Sequence, residues 1–167
     1  MITKVGSIIE DKELEDMERR ALSRGMGLVF ERAEKKYPII PFTMIFKDSN
    51  IYKEFFTNHT IFSQSPGYVL ELWMEELEEK HINIHAIIQE NNTPQYDGDV
   101  AYWIGYTLAT WYQKYRFDMN TLTQGQVEWL YYGYDTLHTQ TMRFVYEEYL
   151  IEMLGHDRDT TIHREDL

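Results

Sequence analysis

Ser65-Pro66-Gly67-Tyr68-Val69-Leu70-Glu71-Leu72-Trp73-Met74-Glu75-Glu76-Leu77-Glu78-Glu79-Lys80-His81 reads as a helix start followed by the helix it starts. A serine at the N-cap accepts a hydrogen bond from a first-turn amide. A proline at the first helical position loses nothing, because its amide would have no intrahelical partner there. Leu70, Trp73, Met74 and Leu77 recur at three- and four-residue steps and form one apolar stripe to about His81, while Glu71, Glu75, Glu76, Glu78 and Glu79 take the wet faces. Segments of the same kind on both sides make the expected fold class all-α.

Toward the N-terminus, Leu14, Met17, Ala21, Leu22, Leu28, Val29 and Ala33 repeat with helical spacing from Glu10 to about Lys36, and Gly25 and Gly27 are expected to split or kink that helix. Tyr37-Pro38-Ile39-Ile40-Pro41-Phe42 is expected to be an extended connection, since each proline pushes the residue before it out of helical geometry. Thr43 to Lys47 reads as a short strand or as loop, which admits a small β-hairpin near residue 43. Ser49 or Asn50 is positioned to cap a short helix carrying Ile51, Tyr52, Phe55 and Phe56.

Toward the C-terminus, the apolar stretch Ile82 to Ile88 precedes a polar loop, Glu90 to Gly98. Asp99 can cap a helix through Ala101, Ile104, Leu108, Trp111, Tyr112 and Tyr115. A helix from Thr123 carries Val127, Leu130 and Tyr131, and a last one, from Thr139 or Thr141, carries Phe144, Val145, Tyr149, Leu150 and Met153 before Gly155 stops it. The expected architecture is an irregular single-domain helical bundle of about six helices over residues 1–155, with 156–167 a flexible charged tail.

Charge constrains the partner. Sixteen basic against 28 acidic side chains give a net charge of −12, the wrong sign for phosphate binding through counterion release and for anionic membrane surfaces. No direct nucleic-acid or membrane contact is expected. A basic protein would instead be steered in. Cysteine is absent, which removes disulfides, thiolate nucleophiles and cysteine-ligated metals. The first residues reach Glu10 without an apolar core of a signal peptide, and no run approaches the ~20 apolar residues of a membrane span. A cytoplasmic location is expected.

Catalytic signatures are thin. Glu78 and His81, and Asp135 and His138, stand three apart, as in half of a di-iron bundle site, but one motif has Asp for Glu and Glu78 lies in the acidic run Glu75 to Glu79. His81 and His85 have the spacing of two zinc ligands on one helix face but lack the glutamate of HExxH. No nucleophile elbow or phosphate-binding glycine loop is present. The reading leans away from an enzyme and expects no cofactor; its enzymatic alternative is a small metal-dependent enzyme using His81, His85 or His138.

The aromatic residues offer more. Tyr102, Trp103, Tyr106, Trp111, Tyr112 and Tyr115 crowd one helix, with Trp129, Tyr131, Tyr132 and Tyr134 on the next. Adjacent helical residues point about 100° apart, so these rings cannot all face the core. Tyr and Trp are the side chains enriched at interface hot spots.

The block Asp99-Val100-Ala101-Tyr102-Trp103-Ile104-Gly105-Tyr106, then Trp111 and Tyr115, then Tyr134 with His138-Thr139, resembles a group of small bacterial proteins encoded beside ADP-ribosyltransferase-like toxins. That resemblance spans residues 99–150 and implies an antitoxin. The chain departs from the group's pattern at Arg116 to Asn120 and at Gln140-Thr141. Together the aromatic belt, the charge and the resemblance give the expected function: an acidic protein-binding module that neutralises a basic partner by occlusion, an antitoxin or inhibitor of a co-encoded toxin. The partner-binding residues are Trp103, Tyr106, Trp111, Tyr112, Tyr115, Tyr134 and His138. A decoy whose carboxylates mimic nucleic-acid phosphates, and a homo-oligomeric structural module, are the other readings.

Overall fold

The structure is a computed structural model that describes residues 4–88 and 97–156. All but the first residue of the expected 156–167 tail and most of the Glu90–Gly98 loop lie outside the described residues. Those that are described form nine α-helices and a single 3-10 turn at Met119–Thr121, with no strand among them. The helices are α1 (Lys4–Glu34), α2 (Ile39–Phe46), α3 (Asn50–Phe55), α4 (His59–Phe62), α5 (Pro66–Glu79), α6 (Ile84–Ile87), α7 (Gly98–Lys114), α8 (Gln124–Leu137) and α9 (Met142–Leu154).

The pair α1 and α7 is the axis of the fold, and glycines set its spacing. A Cβ added at Gly105 of α7 would stand 2.7 Å from the Phe30 ring and 2.8 Å from the Met26 carbonyl oxygen of α1. One added at Gly27 of α1 would stand 2.8 Å from the Tyr102 ring and 3.0 Å from the Tyr102 carbonyl oxygen. The two helices therefore touch backbone to side chain, closer than any residue with a Cβ permits. This corrects the expected break at Gly25 and Gly27: α1 is one continuous helix. The contact with α7, together with Phe55 packed over Gly25, outweighs the ~1 kcal/mol each glycine costs in a helix interior.

The hairpin expected near residue 43 is absent; α2 occupies that stretch. Pro38 sits in extended geometry before the helix, and Pro41 falls in its first turn, where amides have no intrahelical partner, so neither proline costs α2 a hydrogen bond. Phe42, Thr43 and Phe46 are buried, and Thr43 returns its hydroxyl to the Ile39 carbonyl at 2.7 Å. The count rises from about six to nine because α2, α4 and α6 are short helices in stretches that read as connections.

Side-chain caps set the helix starts. Ser49, Ser65 and Thr141 each accept from a first-turn amide, and Thr123 and Gln126 close a reciprocal capping box. Asp97, not Asp99, caps α7, and Thr141, not Thr139, caps α9. Gly155 ends α9 in the left-handed region. Glu76 of α5, a buried carboxylate, accepts from the Asn50 and Ile51 amides at 2.9 Å each and thereby covers the first turn of α3.

The core has two aromatic centres. In one, Trp73 meets Tyr37, Phe42 and Phe46 edge-on at 6.1, 5.2 and 5.4 Å. In the other, Trp111 packs against Phe117, Tyr146 and Tyr149 at 5.6, 5.2 and 4.6 Å. No helix among the described residues is long and apolar enough to cross a membrane.

Candidate functional site

The capping box fixes where α8 begins and so fixes its phase. Val127, Leu130 and Leu137 turn inward. Tyr131, Tyr134 and His138, at three- and four-residue steps, then share an edge, with Asp135 beside them. Tyr132 is 76% exposed.

This edge meets the start of α7. Trp103 packs edge-on against Tyr134 at 5.7 Å, and Tyr134 stacks on His138 at 4.3 Å. Tyr131 and Tyr132 meet at 5.0 Å. The His138 Nδ1 lies 2.7 Å from the Tyr134 carbonyl oxygen. A carbonyl only accepts, so Nδ1 carries the proton in this contact.

The surrounding charge is of one sign. Burial raises the Tyr134 phenol above its ordinary pKa, and the negative charges of Asp99, Asp97 and Asp135 raise it further. Burial likewise raises Tyr131, followed by Glu34, Tyr132 and Asp97. Every charged group bearing on these two phenols is acidic. Glu34, at the C-terminal end of α1, accepts from the Asp97 amide at 3.1 Å, and burial pushes its carboxyl up to about 7.

That shift gives a pH test. The folded-state pKa of Glu34 lies above the unfolded one, so its contribution to stability is present at pH 4.5 and is lost as pH rises through about 7. Glu34→Gln keeps an acceptor for the Asp97 amide and removes the ionisation. At pH 8 it should stabilise the fold by about 2 kcal/mol, roughly 5 °C in Tm. At pH 5 it should change little. Thermal melts at the two pH values decide; an equal change at both would show that the carboxyl is not held near neutrality.

Of the seven residues nominated from sequence, Trp103, Tyr134 and His138 come together here, with Trp103 itself buried. The others are dispersed. Trp111 is in the core. Tyr112 lies half-buried on Tyr52 and Phe56, and Tyr115 stacks on Tyr146 at 4.2 Å. Tyr106 stacks beside Tyr102 and lines a groove on the α1 side of α7. Sequence reasoning left out Tyr131, Tyr132, Asp97, Asp99, Asp135 and Glu34. The phase of α8, readable from Thr123 and Gln126, was the signal that could have selected the first two.

The metal readings dissolve locally. Helix α5 ends at Glu79, and His81 stands in the left-handed region at φ 56°. The Ile82 and His81 amides return to the Leu77 and Glu78 carbonyls at 2.8 and 3.0 Å, which closes the helix end. His81 and His85 therefore do not share a helix face, and no group of three or more metal-ligating side chains gathers among the described residues. No family model, no curated protein and no solved structure matches this chain.

Proposed function

We propose that the chain is a protein-binding module whose α7–α8 face docks on a basic partner protein and occludes it, in the manner of an antitoxin covering a co-encoded toxin. The observation that carries this reading is the pairing of exposed Tyr132, with Tyr131 against it, and the acidic groups around Tyr131 and Tyr134 on the same helix. Tyrosines give large contact area at low entropy cost and present ring faces to Lys and Arg. The carboxylates steer a basic surface in and disfavour acidic ones.

The partner is to be isolated from native cells on the tagged chain and identified by mass spectrometry. With it in hand, Tyr132→Ala should speed dissociation roughly thirtyfold, about 2 kcal/mol of binding, with the Tm unchanged. Asp99→Asn with Asp135→Asn should slow association at low salt and lose that effect at high salt. Undiminished binding by the triple variant Tyr131→Ala, Tyr132→Ala, Tyr134→Ala would overturn the assignment of this face.

A further inference from the structure

Further along α7, toward its C-terminal end, the local charge inverts. Gln113 Nε2 donates to the Arg19 carbonyl at 3.0 Å and to Ser23 Oγ at 3.1 Å. The carbonyl contact fixes which amide atom is the nitrogen, because a carbonyl cannot donate. Thr110 Oγ1 donates to the Tyr106 carbonyl at 2.9 Å, so Ser23 donates to Thr110 at 3.1 Å. Both amide protons and both hydroxyl protons of this seam are spent within it. Gln113 Oε1 is left as its unspent acceptor among the described residues.

The seam floors a groove of about 240 Å³ walled by Asp16, Arg19, Arg20, Lys114, Tyr106 and Met142. Arg19 is balanced by Glu15 and Asp16 at 3.9 and 3.6 Å. Arg20 and Lys114 have no ion pair among the described residues, and Lys114 rests over the Tyr115 ring at 5.7 Å. Two uncompensated cations share one polar cleft of a chain whose net charge is −12.

We propose that this groove binds a singly phosphorylated polar small molecule of the sugar-phosphate class, its phosphate between Arg20 and Lys114 and a hydroxyl donating to Gln113 Oε1. Two free positive charges match the −1.5 to −2 of a phosphate monoester near pH 7, where a carboxylate would leave one unmatched. The guanidinium fork fits phosphate oxygens. An amide whose protons are both spent can accept only from a donor on the ligand, which a sugar hydroxyl supplies. The volume lies below that of drug-sized sites and favours a compact ligand over a dinucleotide.

Calorimetric titration of the full chain at low salt tests this, with glucose 6-phosphate and ribose 5-phosphate as probes and glucose and inorganic phosphate beside them. At least one sugar phosphate should bind with a Kd of about 1 mM or tighter, and more tightly than either fragment. Arg20→Ala with Lys114→Ala should weaken it at least about tenfold while leaving the Tm unchanged, since both side chains are exposed. The proposal is overturned by the absence of binding for both sugar phosphates, by equal affinity for inorganic phosphate, or by a double variant that binds as well as the parent chain.

Discussion

Trp111→Ala is expected to cost about 3–5 kcal/mol of folding stability, a large share of the ~5–15 kcal/mol that holds a domain of this kind. The indole is fully buried and is gripped by Phe117, Tyr146 and Tyr149, so truncation opens a cavity whose walls belong to α7, α9 and the segment between α7 and α8. Rings fixed on separate helices cannot collapse into it together. Trp111→Phe should cost much less. It refills part of the volume and removes an indole N–H that has no hydrogen-bond partner among the described residues. Urea denaturation reads both as shifts in midpoint at constant slope. A loss below about 1 kcal/mol for the alanine variant would place Trp111 outside the core. Tyr132→Ala is the matched surface control.

The second large effect concerns a residue with no side chain. Gly105→Leu should destabilise by more than about 4 kcal/mol, and even Gly105→Ala should lose about 1–2 kcal/mol net. Alanine is favoured over glycine by ~1 kcal/mol inside a helix, so a net loss means that the contact outweighs the propensity. The obstructing atoms are the Phe30 ring and the Met26 carbonyl oxygen, and the second is backbone that can yield only if α1 moves away from α7. Gly125→Ala supplies the contrast: its new Cβ meets nothing nearer than Thr123 Oγ1 at 3.9 Å, so the same change should be neutral or stabilising by a few tenths of a kcal/mol. If Gly105→Ala stabilised the chain as Gly125→Ala does, the close crossing of α1 and α7 would be wrong.

Helix starts were legible because a cap is a local device. Ser65-Pro66 and Thr123 with Gln126 act within one turn, and the amides they satisfy are their own neighbours'. The role of Gly25, Gly27 and Gly105 was only half visible. At Gly25 and Gly27 the sequence showed a propensity cost and hid the partners that reverse its meaning, since Phe55 and Tyr102 lie far along the chain. Pro38 and Pro41 misled for a related reason: their effect depends on where a helix begins, and one beginning at Ile39 makes both harmless. The candidate face was partly legible. Trp103, Tyr134 and His138 were nominated as aromatic or polar residues on the right helices, yet Trp111 satisfied the same criterion and went inside. Ring identity says that an aromatic residue is useful. Only the packing of α7 against α9 says which side of it is covered.

The reliance of α1 on α7 has a consequence for synthesis. About sixty residues separate the end of α1 from the start of α7, so at ~5–20 residues per second the ribosome needs several seconds to deliver the second helix after completing the first. Through that interval the helix groove at Gly27 lacks the Tyr102 ring that fills it in the finished molecule, and Phe30 has only the α2 rings Phe42 and Phe46 beside it. That apolar groove on α1 therefore stays open over a defined window of chain lengths, which closes once the residues through Lys114 have cleared the exit tunnel.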